Sequence, residues 1–354
     1  MNIVDRYIAR HVIWGSLVAL CVVVSLFAFI AFVDDLDSVG KGEYTLAMAF
    51  GYMALTLPGK AFFLFPLAAV VGTLVGLGVL SSSSELTVIR TAGLSAARIS
   101  MSVMKAGLFL AVLAMFIGEF VAPSAERLAQ QRRSVAMTDQ LSLNTNYGFW
   151  VRDGKSFINI RRVLPDNRMG DVYIYEFDLD DRLRVATYAE QAVFTDGEWV
   201  LEGIQQSEIL EDRVVKRGIR RAIWQSLFRP DLVNVVAVKP ETLSAIGLYR
   251  YMDYLRQNEL STARFELAFW KKLVYPVATL VMIFLALPVV LGRLRSVGVG
   301  QRILVGSLIG ISFHVINQVS GDLGLVYGFS PLLSALLPTL LFLGVGIVML
   351  RRLA

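Results

Sequence analysis

Few residues of this chain are placed to do chemistry, and the patterns that come near a known motif fall short of it. Gly59-Lys60 is followed by Ala61, where a phosphate-cradling loop requires Ser or Thr, and the upstream glycine of such a loop is missing. The only histidines, His11 and His314, form no cluster with cysteines or carboxylates at metal-ligand spacing. No Gly-x-Ser-x-Gly elbow occurs, and the long apolar runs are nearly bare of charged or nucleophilic groups. A self-contained enzyme is not expected, and neither is a metal or cofactor bound by the chain itself.

The most unusual stretch is Ser81-Ser82-Ser83-Ser84-Glu85-Leu86-Thr87-Val88-Ile89-Arg90-Thr91-Ala92-Gly93-Leu94-Ser95. Serines ahead of Glu85 suit a helix N-cap, a carboxylate in the first turn suits the helix dipole, and Gly93 suits the end. Helical spacing puts Leu86, Ile89 and Arg90 toward one side. Two readings fit this local pattern: a capped turn joining two membrane spans, or a short helix that docks into a groove on a cytoplasmic partner.

The elements that must hold this stretch are membrane helices. Hydrophobic residues make up 55% of the chain and charged ones 18%, where soluble domains carry about 25% charge. Mean hydropathy is +0.59. The net charge of +5 is no nucleic-acid footprint, because Lys and Arg collect at the ends of apolar runs. Six runs approach the roughly 20 residues that span a bilayer: 12–33, 61–80, 99–122, 273–292, 303–319 and 331–350. A shorter piece, 44–57, ends at Pro58-Gly59 and reads as a separate interfacial or re-entrant helix. The first run is longer than a signal-peptide core and leads into Asp34-Asp35, so it reads as a retained helix. It contains Cys21, the single cysteine, so no intrachain disulfide forms.

The basic residues set an orientation. Arg6, Arg10, Arg90, Arg98, Arg293, Arg295, Arg302, Arg351 and Arg352 fall on one side, which reads as cytoplasmic and holds both termini. Lys271 and Lys272 run against this trend.

Between the third and fourth spans lies a polar insertion of about 140 residues, a normal domain size. The chain thus divides into 1–122, 123–264 and 265–354. Asp153-Gly154 and Asp196-Gly197 each separate two runs of apolar β-formers, the strongest short-range hairpin signal. Val172 to Tyr175 and the region 204–210 supply further strands, and the class reads as an all-β sandwich or jelly roll. Residues 125–137 continue the third span outward as a helix, and 248–269 feed the fourth. Glu119, near the outer end of the third span, reads as a cap or stalk contact, and Lys105 near its other end as a snorkelling cation.

The chain resembles the permease family of the lipopolysaccharide-export ABC transporter, LptF/LptG, and within it the LptG branch more than the LptF branch. The resemblance covers essentially the full length. It is carried by Asp5-Arg6-Tyr7-Ile8, Phe32-Val33-Asp34, Gly76-Leu77-Gly78, Ser84-Glu85-Leu86 and Gly118-Glu119-Phe120-Val121-Ala122-Pro123. Leu294-Arg295-Ser296-Val297 and Leu325-Val326-Tyr327-Gly328 complete it in the second half.

The resemblance implies six transmembrane helices with a periplasmic jelly roll, in the inner membrane of a Gram-negative bacterium. It implies an LptF-like partner permease and an LptB dimer that supplies ATP hydrolysis with Mg. LptC and LptA would join through the jelly roll, with lipopolysaccharide as substrate. Glu85, Leu86, Ile89 and Arg90 would then engage the ATPase. The family's lysines at the outer end of the first helix are replaced here by Ala31, Asp34, Asp35, Asp37 and Ser38, which leaves lipid phosphate to Lys41, Arg132 and Arg133. Val23, Phe27, Ile30, Phe62 and Phe65 are packing or lipid-facing residues by default, and cavity lining under the resemblance. For His314, Asn317 and Gln318, interhelical hydrogen bonding is favoured over gating, and His314 and Gln318 would join the cavity lining under the resemblance. Phe149, Trp150, Phe194 and Trp199 would line the lipid groove of the β-domain or fill its core. The alternatives are the paralogous LptF role, or a membrane-anchored envelope sensor or scaffold that moves no lipid.

Overall fold

The computed structural model describes residues 3–137, 149–164, 168–178, 180, 182–195, 198–210, 212–224, 240–292 and 298–352. Asp196-Gly197, Arg293, Arg295 and the Leu294–Val297 motif lie outside the described residues.

Apolar sequence in lipid must satisfy its own backbone, so each long run becomes a helix. These are α1 (Ile3–Asp35), α2 (Leu46–Ser82), α4 (Ala96–Phe116) with its extension α5 (Ala122–Met137), α7 (Ala263–Leu291), α8 (Val299–Tyr327) and α9 (Pro331–Arg351). All six are long and apolar enough to cross a membrane. A short α3 (Glu85–Thr91) joins α2 to α4, and α6 (Ala245–Gln257) precedes α7.

The sequence places a break at Pro58, but the structure does not. α2 runs unbroken for 37 residues through Pro58 and Pro66, about 55 Å at the helical rise. Proline removes one ladder bond without dictating an end where packing carries the helix on. Here α5 lies alongside, with Gln130 donating to Tyr52 Oη at 3.0 Å. The opposite correction applies at 248–269, which is two helices. Asn258 ends α6 by accepting from Gly154 N at 2.9 Å and donating to Tyr254 O at 3.0 Å.

α2 is the axis of the bundle, and α1 crosses it at backbone contact. A Cβ on Gly72 would overlap the Ser16 backbone, one on Gly15 the Gly72 carbonyl, and one on Gly76 the His11 carbonyl. Small residues allow such approach in a membrane, where dispersion and weak polar contacts replace the hydrophobic drive. The main core then gathers Ile8, Val12, Val70, Leu74, Leu77, Ile99, Val103, Met282 and Leu285 from four helices.

Within the extended third span, α4 and α5 are joined by one π turn, Ile117–Val121. Such turns rotate the residues that follow and occur often at functional positions. This one sets Glu119 toward the start of α6.

The inserted domain is a six-stranded antiparallel sheet, an open meander ordered β1 (Phe149–Asp153), β2 (Ser156–Leu164), β3 (Arg168–Phe177), β4 (Leu183–Thr195), β5 (Glu198–Ile209) and β6 (Val214–Trp224). Gly154 turns the first hairpin with φ +58°, where a side chain would be strained. Alternation puts Val151, Ile158, Ile160, Val172 and Ile174 on one face, packed against Tyr251, Tyr254 and Leu255 of α6. Each fully buried side chain of this kind contributes about 2 kcal/mol. Trp199 is buried in this core with Phe194 against it. Trp150 faces out instead and stacks on Tyr175 with centroids 5.8 Å apart. The fold is thus a polytopic helical membrane protein with an inserted β-domain.

Candidate functional site

Three groups of predicted residues settle at different places. At one end of the bundle, α3 starts from Ser84 in the left-handed region, φ 63°, with no side-chain cap. A serine does stand at the N-cap as expected, but its side chain makes no capping bond. Ser83 beside it caps nothing either, donating to Glu85 Oε1 at 2.9 Å and to the Val79 carbonyl at 3.1 Å. Gly93, at φ +92°, follows the last turn as expected. Leu86 is buried in the main core with Ile89 packed against it, so these two hold α3 to its own bundle. Arg90 is exposed, as is Val88 at 64%.

Glu85 also accepts a 2.6 Å hydrogen bond from the Tyr7 hydroxyl. The Tyr7 bond first, and Ser83 second, hold its carboxyl below the usual carboxylate range. A depressed pKa means that these bonds favour the native arrangement above the ordinary value and lose hold as pH falls through the shifted one. Carboxyl-carbon NMR of the chain in nanodiscs should place Glu85 below the ordinary Glu value of about 4.3, and Tyr7→Phe should move it back up. An unshifted Glu85 in the unmodified chain would sink this expectation.

A buried carboxylate whose partners the sequence reading did not assign completes this end. Asp5 is buried and accepts from Ser102 Oγ at 2.6 Å, with Lys105 Nζ at 3.3 Å and Arg98 at 3.7 Å. Lys105 is therefore an ion-pair partner of Asp5 rather than a free snorkelling cation. The signal was available: a carboxylate on one membrane helix and a lysine within another need partners.

At the β-domain end, Arg133 is bound to its own protein. It sits 2.6 Å from Asp35, donates to Ser38 Oγ at 3.2 Å and lies over the Tyr52 ring at 4.7 Å. Tyr44 donates to the same Asp35 at 2.6 Å. Arg133 is thus a structural tie whose charge is already matched. Lys41 and Arg132 are exposed and make no ion pair with a described residue, which leaves them the better anion ligands of the three.

The aromatic pair on α2 belongs to the packing. Phe62 and Phe65 are buried, Phe62 lying on Gly118 and beside Tyr275. Phe27 and Ile30 of α1 face outward with Cys21, and Val23 is half-buried. On α8, Asn317 donates to Tyr275 Oη at 3.2 Å, the interhelical bond expected for that region. His314 and Gln318 lie on the exposed side, with Gln318 near Asp322 at 3.5 Å.

Glu119 makes the connection between bundle and β-domain. Its carboxylate accepts from Ala245 N at 2.8 Å, capping the first turn of α6, and lies 3.6 Å from Lys272 of α7. Lys272, which ran against the charge trend, is thereby neutralised and also donates to the Leu243 carbonyl.

The family described as lipopolysaccharide export system permease LptF/LptG matches residues 6–352. The chain is 38% identical to the lipopolysaccharide export system permease protein LptG of Haemophilus influenzae, covering 97% of this chain and 96% of that one. It is 36% identical to LptG of Escherichia coli K12 over 99% and 98%. Similarity to LptF of Escherichia coli K12 is 29% and spans 32% of this chain and 31% of that one. With both the family match and the two LptG relatives running nearly end to end, the chain belongs to the LptF/LptG family of lipopolysaccharide export system permeases.

Proposed function

We propose that this chain is the LptG-type permease of an ABC exporter that lifts lipopolysaccharide from the outer leaflet of the inner membrane toward a periplasmic bridge. The observation that carries the proposal is the pairing of full-length similarity to LptG with α3, a short helix between two spans. Leu86 is sunk in the bundle core, while Arg90 and Val88 are exposed. A helix anchored from behind and open in front suits a groove on an LptB dimer, which supplies ATP hydrolysis with Mg. Both termini and α3 are then cytoplasmic and the β-domain periplasmic, as the arginine distribution favours. An LptF-like subunit would face the outward apolar side of α1 and the exposed side of α8, where Phe27, Ile30, His314 and Gln318 lie. LptC and LptA would continue the path from the β-domain. Lys41 and Arg132 would meet the lipid phosphates, as guanidinium and ammonium groups do with phosphate oxygens.

Co-expression with LptB and LptF tests the reading. Glu85→Ala is expected to lower recovery of the complex and ATP-driven lipopolysaccharide release about tenfold, because α3 loses its hydrogen bond to the Tyr7 hydroxyl, the weight of one hydrogen bond to a charged group. An unmodified chain that neither retains LptB nor releases lipid, with both partners folded, would turn the assignment toward a sensor or scaffold.

A further inference from the structure

The first turns of α1 are gripped from two sides. Asp5 is held by Ser102, Lys105 and Arg98, at the start of α4 and within it. Tyr7 is held by Glu85 of α3 at 2.6 Å. Residues two apart on a helix point in different directions, about 200° round the axis, so the two grips do not duplicate each other. The Tyr7 ring also stands edge-on to His11, with centroids 4.6 Å apart, which fixes the direction of its hydroxyl.

α3 has only seven residues and touches the rest of the bundle through few side chains. Leu86 enters the shared core, where its packing has little directional preference. The Glu85–Tyr7 bond is different: it is short, charge-assisted and directional. It joins α3 to α1 alone. At its far end α1 carries Asp35, which binds Arg133 of α5. One rigid helix therefore has α3 attached at one end and the β-domain end of the bundle at the other.

We propose that Tyr7 is a positioning residue of the transport cycle, carrying displacement of α3 into α1 through its hydrogen bond to Glu85. Asp5 keeps α1 in register with α4 during that movement. The proposal rests on the exporter reading and adds to it the residue by which the docking helix acts on a membrane helix.

Tyr7→Phe tests it, since the ring and its packing on His11 remain and only the hydroxyl is removed. In the full chain in nanodiscs, amides 85–91 should exchange about tenfold faster, the weight of one hydrogen bond to a charged group. In the complex with the ATPase and second permease, lipopolysaccharide released per ATP hydrolysed should fall about fivefold or more. Tyr7→Lys, with similar reach and an ammonium for Glu85, should recover much of that ratio, whereas Tyr7→Leu should not. A release-to-hydrolysis ratio unchanged in Tyr7→Phe, while the unmodified chain transports, overturns the proposal and leaves the exporter reading standing. Unchanged exchange at 85–91 overturns it as well. If the unmodified complex hydrolyses ATP without releasing lipid, the exporter reading itself falls and takes the transport role of Tyr7 with it.

Discussion

Gly72→Leu is expected to destabilise the chain by about 3 kcal/mol or more, beyond the usual range for overpacking. At this position even a single carbon would overlap the Cα and N of Ser16, and backbone cannot rotate aside as a side chain does. α1 and α2 would have to separate along their whole crossing, which loosens Ile8 and Val12 against Leu74 and Leu77. Gly59→Leu is the matched control, since no atom lies near its virtual Cβ. Thermal unfolding in detergent, followed by circular dichroism, checks the difference. Equal midpoints for the two variants would refute the close crossing.

The second large effect is expected at Glu119. Replacing it by Ala leaves Lys272, only 9% exposed in its side chain, with a buried charge and no carboxylate beside it. Breaking one side of a buried pair costs about 3–5 kcal/mol. The same change strips the acceptor from the amides of Ala245 and Ile246 in the first turn of α6, leaving only the Ser244 cap on Gly247 N. Glu119→Gln keeps an acceptor for those amides and should lose roughly half as much. Chemical unfolding gives the totals, and amide exchange at 245–257 separates the cap from the ion pair. Native-like stability in Glu119→Ala would show that the junction between bundle and β-domain does not depend on this carboxylate.

Much of the architecture was legible because membrane helices and hairpins declare themselves locally. The six apolar runs, the Asp153-Gly154 turn and the helical continuation past residue 122 each depend on neighbours within a few positions. Pro58 misled for the same reason. Its local preference is to end a helix, and the packing of α5 that overrides it comes from about 70 residues further along. The site was less legible still. Tyr7 and Glu85 are 78 positions apart, and Ala245 lies 126 positions from Glu119, so no spacing rule could join them. Exposure was equally hidden: Leu86 and Ile89 share a side as predicted, but that side turns inward. Arg133 shows the limit of composition, since an arginine at a membrane edge suggests phosphate until Asp35 is seen beside it.

The two ends of α1 are both tied by ion pairs, Asp5 to Lys105 and Asp35 to Arg133. Between them run 30 helical steps, about 45 Å. A free helix meets a thinner bilayer by tilting, but a helix moored at both ends has its tilt set by the bundle. Lipids with shorter acyl chains must then compress or stretch around α1 instead of letting it lean. The membrane's thickness would then act as a mechanical load on the same helix that carries α3 at one end and Arg133 at the other.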